Sequence, residues 1–267
     1  MKSASLKQKK KIQQKILSWY AKNKRDLPWR KTTDPYAILV SEIMLQQTQV
    51  DRVIPYYHRF LQRFPTIKKL AAADNKTLLQ HWSGLGFNSR ALRLKMLAQH
   101  VIDHFDGVVP DQEEELRSLP GIGPYTSRAI MAFAFNKTVP VVDTNIRRVL
   151  IYELGLSEDI SLKELEPIAL SAIPKGKSRM WHNALMDYGA LHKTSRVTGI
   201  KPLSKQSTFK GSEREIRGKI VKHFLKHDKE TLIKLKILFP HAHFKDIADK
   251  MIEDGIIKKE KDFIFFP

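Results

Sequence analysis

An all-α body carrying a small carboxy-terminal α+β module is the fold class that this sequence predicts, and three observations lead to it. Apolar residues recur at helical spacing over almost the whole chain, proline and glycine interrupt that pattern at short intervals, and the last residues switch to two short apolar runs around a charged turn. Ile12, Ile16, Leu17 and Tyr20 mark a first amphipathic helix behind a lysine-rich start. Ile38 to Leu45, Val53 to Phe64, Ala91 to Ile102, Ile146 to Leu154 and Trp181 to Leu191 continue the pattern. Breaks at Pro28, Pro35, Pro65, Gly84-Leu85-Gly86, Pro110, Pro120, Pro140 and Gly176 cut the body into roughly ten short helices. His192 to Gly211 is polar and basic and reads as a linker or long loop. Beyond it, helices are expected near Glu213 to Lys226, Glu230 to Phe239 and Phe244 to Gly255, followed by a hairpin from Ile256 to Phe265. The expected organisation is therefore a body over 1–192, a linker over 193–210 and a winged-helix-like module over 211–267.

Composition narrows the partners. The 267 residues hold 47 Lys+Arg against 28 Asp+Glu, a formal net charge of +19, so the summed field gathers polyanions, and nucleic acid leads the candidates. A merely soluble basic surface would give the same count. No stretch approaches the length of apolar residues that crosses a bilayer, and the chain is expected to be cytosolic or nucleoid-associated, without a membrane partner. The complete lack of cysteine excludes disulfides, thiolate nucleophiles, cysteine-bound zinc and a thiolate-held iron–sulfur cluster.

Several motifs can carry chemistry. Leu119-Pro120-Gly121-Ile122-Gly123-Pro124-Tyr125-Thr126 breaks one helix and starts another, leaving backbone amides able to hold an anion near Gly121 and Gly123; by itself a Gly-x-Gly marks only a turn. Glu42 stands in the apolar run Ala37 to Leu45. Burial there would raise its pKa and suit a general acid, whereas a place on the solvent stripe of an amphipathic helix would make it ordinary. Asp143, before Thr144-Asn145-Ile146, suits a helix N-cap, and a carboxylate kept ionised by helix amides also suits the stabilisation of a positive sugar-like transition state. Gln46-Gln47-Thr48-Gln49 is either solvated surface or a set of amides that reach base edges and fill a gap in a stack. Arg25-Asp26-Leu27-Pro28-Trp29-Arg30 joins cations to an aromatic plane, or simply pins a loop. His241-Ala242-His243 lacks a third ligand at helix spacing and is read as structural.

Taken together, Arg25 to Arg30, Ser41 to Val50, Trp82-Ser83-Gly84-Leu85-Gly86-Phe87, Leu119 to Thr126 and Val142-Asp143-Thr144-Asn145 resemble the helix-hairpin-helix DNA glycosylases, and their MutY-type adenine branch in particular. The resemblance runs from about Gln8 to Leu191 and continues more weakly into Phe209 to Gly218. It implies a two-lobed helical glycosylase fold and a monomer acting on double-stranded DNA that contains a mismatch or damaged base. Glu42 matches the acid that protonates adenine, and Asp143 the carboxylate that stabilises the oxocarbenium ion. Asn145 matches a residue beside that aspartate. Tyr125 stands where bifunctional relatives carry a lysine, so the resemblance implies a monofunctional enzyme that uses water. Gln47 matches the wedge that enters the duplex. Arg25, Leu27, Trp29, Arg30 and Leu45 match positions around the flipped base, and Thr48 and Phe87 belong to the same DNA-facing motifs.

Three departures accompany it. The four cysteines that commonly hold a cluster after Gly189-Ala190-Leu191 are absent, which implies a branch requiring no cofactor, with a monovalent cation at the hairpin carbonyls near Gly121 and Gly123 as the one ion suggested. Fewer than 80 residues follow Leu191, too few for the family's 8-oxoguanine-reading domain. Thr144 and Asn183 replace the residues usual at those pocket positions. Excision of adenine opposite 8-oxoguanine or guanine is the leading expectation. A thymine or uracil mismatch glycosylase and a non-catalytic DNA-binding protein are the alternatives.

Overall fold

The computed structural model describes residues 6–202 and 208–267, and they form helices joined by short turns plus one three-stranded sheet. The chain divides into two compact units: Met1–Glu42 with Pro110–Ser118 and Ile122–Lys205, and Ile43–Val109 with Leu119–Gly121 and Gln206–Pro267. This differs from the expected split near residue 192. The carboxy-terminal module belongs to the second unit, within which Asp228 pairs with Lys76 at 2.9 Å and Asp254 lies 3.9 Å from Arg93. Such long-range partners leave no trace in local spacing.

In the first unit the core lies around the helix Thr144–Leu154. Its Ile146, Val149 and Leu150 pack with Ile12 and Ile16 of the helix Leu6–Asn23, with Leu165 and Ala169 of Leu162–Ser171, and with Trp181, Ala184 and Leu185 of Ser178–Asp187. Local chemistry sets the ends of these helices. Asp143 caps one, Ser161 and Glu164 form a reciprocal capping box on another, and Gly155 closes the first in a left-handed turn. The expected loop after His192 is partly helical: Thr194 caps a turn over Ser195–Thr198, and Ile200 is buried. Residues 203–207 of that expected linker lie outside the described residues.

The second unit begins with the end of the helix Pro35–Leu45, which crosses from one unit to the other. Val53 and Phe60 of Val50–Arg63, Leu70 of Ile67–Ala71, Leu78 and Trp82 of Asn75–Trp82, and Leu94, Leu97 and Val101 of Ser89–His104 form its helical core. Gly84 and Gly86 both take positive φ, at 111° and 79°, and a Cβ on Gly84 would overlap the Tyr56 hydroxyl.

The carboxy-terminal module runs helix Glu213–Phe224, strand Lys229–Thr231, helices Leu232–Leu238 and Phe244–Glu253, then strands Lys258–Glu260 and Phe263–Phe265. The last strand is central and pairs antiparallel with both others. The hairpin and the helix–helix–helix–wing order agree with the expectation. The strand Lys229–Thr231 was not anticipated, since three residues without an apolar alternation carry no strand signal.

Candidate active site

The helix Pro35–Leu45 is apolar almost all the way round. Asp34 starts it by accepting the Tyr36 and Ala37 amides, and residues 36–44 are all buried. A helix of that kind has no solvent stripe, so Glu42 cannot sit on one; it is 9% exposed. Burial, and then the negative charge of Asp143, push its carboxyl up to about 7. Near neutral pH it is poised to give up a proton.

Asp143 is the N-cap expected of it. Its Oδ1 accepts the Ile146 amide at 2.7 Å and its Oδ2 accepts from Asn145 Nδ2 at 3.0 Å. Contrary to the sequence expectation, these donors do not hold the group at low pKa: burial outweighs the amides, Asn145 and the charge of Arg148, and the carboxyl titrates above its ordinary value. Arg148 also donates to Asn145 Oδ1 at 2.6 Å, which orients the amide so that its nitrogen faces Asp143. Upstream, the Val141 amide donates to His182 Nε2 at 3.2 Å. His182 Nδ1 bonds the Ser178 carbonyl at 2.8 Å, which assigns the proton to Nδ1 and leaves Nε2 as acceptor; burial lowers this imidazole to about 4, so it stays neutral.

Tyr125 completes the group. It keeps 37% of its surface exposed, yet burial of its phenol together with the charges of Glu42 and Asp143 raises the hydroxyl well above its usual range. The charges of Glu42 and Asp143 thus bear on one another and on Tyr125 within the first unit. Preceding Tyr125, Gly121 turns at φ 81°, and Gly123 caps the helix Pro124–Phe133 without a side-chain acceptor. The Tyr125 and Thr126 amides of that first turn therefore have no helical carbonyl to bond.

Arg25, Leu27, Trp29 and Arg30 also lie in the first unit, and both arginines are held by the carboxylate of Asp187. Arg30 forms a two-pronged pair with Asp187, Nη1 to Oδ2 at 2.6 Å and Nη2 to Oδ1 at 2.9 Å, and Arg25 reaches the same carboxylate through Nε at 2.6 Å and its amide at 3.0 Å. Asp187 is completely buried; burial drives its pKa upward, and Arg30 and Arg25 override this and hold it below the usual range. The cluster fixes the loop on which Leu27 and Trp29 are buried. Sequence reasoning missed Asp187, although its signal is the one that marked Glu42: a lone acid in an apolar helical run.

The other expected positions, Leu45, Gln47, Thr48, Phe87 and Gly121, belong to the second unit. Gln47 is exposed and takes φ 55°, and Phe87 takes φ 48°. They line an open groove of about 920 Å³ together with Arg52 and with Arg214, Lys219 and Lys222 of the helix Glu213–Phe224.

The segment after Gly189 has no thiolate that could bind an iron–sulfur cluster. Arg148 holds it instead, donating to the Gly189 carbonyl at 2.8 Å and the Lys193 carbonyl at 2.6 Å. Among the described residues no group of three histidines or acids could hold a metal, and no helix is long and apolar enough to cross a membrane.

Residues 40–175 match the family described as "HhH-GPD superfamily base excision DNA repair protein". The chain is 35% identical to the adenine DNA glycosylase of Mycolicibacterium smegmatis over 92% of each chain. It is 40% identical to that of Rattus norvegicus over 66% of this chain, and spans only 36% of that longer protein. Among solved structures it resembles a thermostable thymine-DNA glycosylase, with a TM-score of 0.68 and 34% identity over 73% of this chain and 90% of the other. It shares the fold of endonuclease III trapped on DNA, with a TM-score of 0.62 and 24% identity over 73% of this chain and 90% of that one.

Proposed function

The chain belongs to the HhH-GPD superfamily of base excision DNA repair proteins, and from that premise we propose that it is a monofunctional adenine DNA glycosylase acting on adenine opposite 8-oxoguanine or guanine. The observation that carries the reading is Glu42, an acid buried beside Asp143 and held near neutrality. An extruded adenine receives the Glu42 proton on its ring as the bond between C1′ and the base nitrogen breaks, and the bonding pair leaves with the base. Asp143 stabilises the positive charge left on the sugar, with Asn145 holding it in place. Water then adds to C1′ and surrenders a proton to a carboxylate, which restores the site.

Tyr125 offers no amine, so no Schiff base forms at that position. Gln47 fills the vacated stack, Leu27 and Trp29 face the base, Thr48 and Phe87 face the duplex, and the hairpin amides at Gly121 and Gly123 take a phosphate. A monovalent cation at that hairpin is kept as part of the proposal and enters no bond-breaking step. The net charge of +19 suits a duplex DNA partner, and a monomer acting in the cytoplasm completes the proposal.

A second reading rests on a specific likeness. The solved structure at 34% identity is described as a thymine-DNA glycosylase, which makes thymine or uracil opposite guanine the alternative target. Single-turnover cleavage of duplexes with adenine opposite 8-oxoguanine, guanine and thymine, alongside T:G and U:G, decides between them. Activity confined to T:G or U:G would replace adenine as the substrate, and activity on none would leave a binding protein.

A further inference from the structure

Arg90 is one basic residue among 47 in the sequence, yet it is 6% exposed. Its guanidinium lies between two turns of the second unit. Nη1 faces the carbonyls of Ile43 at 2.7 Å, Met44 at 3.0 Å and Gln46 at 2.6 Å, while Nη2 donates to Thr48 Oγ1 at 3.2 Å and to the Gly86 carbonyl at 3.1 Å. Ile43 and Met44 are at the end of the helix Pro35–Leu45, where carbonyls lose their helical partners and a cation is favoured. Gln46 and Thr48 flank Gln47. The one residue of this turn exposed in a left-handed conformation is therefore gripped on both sides by a single planar group.

The second turn is held in the same way. Arg90 takes the Gly86 carbonyl, and its guanidinium lies 5.3 Å from the ring centre of Phe87 and 5.4 Å from that of Trp82. Gln47 and Phe87 are two of the five non-glycine residues with positive φ in the described chain, and both line the same groove. Such backbone persists only where surrounding bonds over-determine it. Here those bonds converge on Arg90.

We propose that Arg90 is the positioning residue of DNA distortion in this protein: it presets the turn that presents Gln47, so that the wedge meets the duplex already shaped. The inference rests on the wedge reading of Gln47 given above. A preformed wedge spends no binding energy on ordering itself when the base leaves the stack. The planar fork matters, because a lysine at this position could not reach carbonyls on both turns at once.

The test uses the full chain and the duplex that it cleaves, with 2-aminopurine as the neighbour of the target base, brightening when that base leaves the stack. Gln47→Ala, Arg90→Lys and the double variant are compared by stopped flow, with thermal melting to report folding. Arg90→Lys is expected to slow the fluorescence rise about as much as Gln47→Ala, tenfold or more, and the double variant to be no slower than either, because both remove one function. Losses that multiply in the double variant, or a wild-type rate in Arg90→Lys, overturn the inference while leaving the wedge intact. A wild-type rate in Gln47→Ala removes the wedge reading itself, and this inference with it. If Arg90→Lys does not fold, Thr48→Val, which deletes a single acceptor, carries the same comparison at smaller amplitude.

Discussion

The charge of Asp143 raises the proton affinity of Glu42, and burial raises both carboxyls. Two acids whose charges act on one another, one of them buried and the other half-buried, cannot both ionise cheaply, so one of them keeps its proton near neutral pH. The reaction needs that asymmetry: a proton for the departing base and a negative charge for the sugar.

Glu42→Gln is expected to lower single-turnover excision by about 10²- to 10⁴-fold, the usual worth of a general acid. In the wild type the rate should fall as pH rises through about 7, the value of the Glu42 carboxyl, and a pH–rate profile checks this. Stability follows the same proton. Because the folded carboxyl titrates above its ordinary 4.5, its favourable contribution is complete below about 4.5 and is lost as pH rises through about 7. Glu42→Gln should therefore stabilise the fold at pH 8 by up to about 3 kcal/mol and change little at pH 4, as measured by denaturant titration.

Cap and catalyst can be separated at Asp143. Asparagine caps a helix nearly as well as aspartate, and its neutral amide removes a negative charge that burial and Glu42 disfavour, so Asp143→Asn should abolish excision while leaving the fold at pH 7 at least as stable as the wild type. Asp143→Ala should lose activity equally and cost about 1 kcal/mol more. Equal stability for the two variants would count against the capping bond to Ile146.

Asp187 balances two arginines with no exposure of its own. Asp187→Asn leaves Arg25 and Arg30 without their counter-charge and should destabilise the fold by about 3–5 kcal/mol. The wild type should also weaken in acid, since the lowered pKa of Asp187 means that its contribution is present above the ordinary carboxyl value and disappears as pH falls through the folded one. Thermal melts of both proteins between pH 3 and 7 test each statement.

A Cβ on Gly189 would lie 2.9 Å from both the Cβ and the carbonyl oxygen of Asn145. That clash involves backbone, so Gly189→Ala must displace Asn145 and, through it, Asp143. A stability loss of about 1–3 kcal/mol is expected, together with a fall in excision rate at saturating enzyme. Unchanged excision would show that Asn145 does not position the carboxylate.

Borohydride should trap no covalent adduct between the wild-type chain and abasic DNA, because the position that would attack holds Tyr125 rather than an amine. A trapped yield matching that of a lysine-bearing relative would overturn the water-only reaction.

Much of this protein was legible in one dimension. Helical periodicity, proline and glycine breaks, the N-cap at Asp143 and the carboxy-terminal hairpin are local features, governed by backbone sterics and residues a few positions apart, and the structure places them close to where spacing put them. The motifs around Glu42, Gln47, Gly121 and Asp143 were likewise contiguous. Only tertiary structure decided what those side chains experience. Glu42 could have lain on a wet face, Asp143 could have stayed strongly acidic, and Arg25 and Arg30 could have lacked a counter-charge; burial, and partners more than a hundred residues away such as Asp187, settled each case. Arg90 makes the same point from the opposite side, since a buried guanidinium and an exposed one have the same letter. Local structure follows from short-range sterics that sequence spells out, whereas desolvation and long-range charge depend on which distant segments close over a group, and the chain states that only by folding.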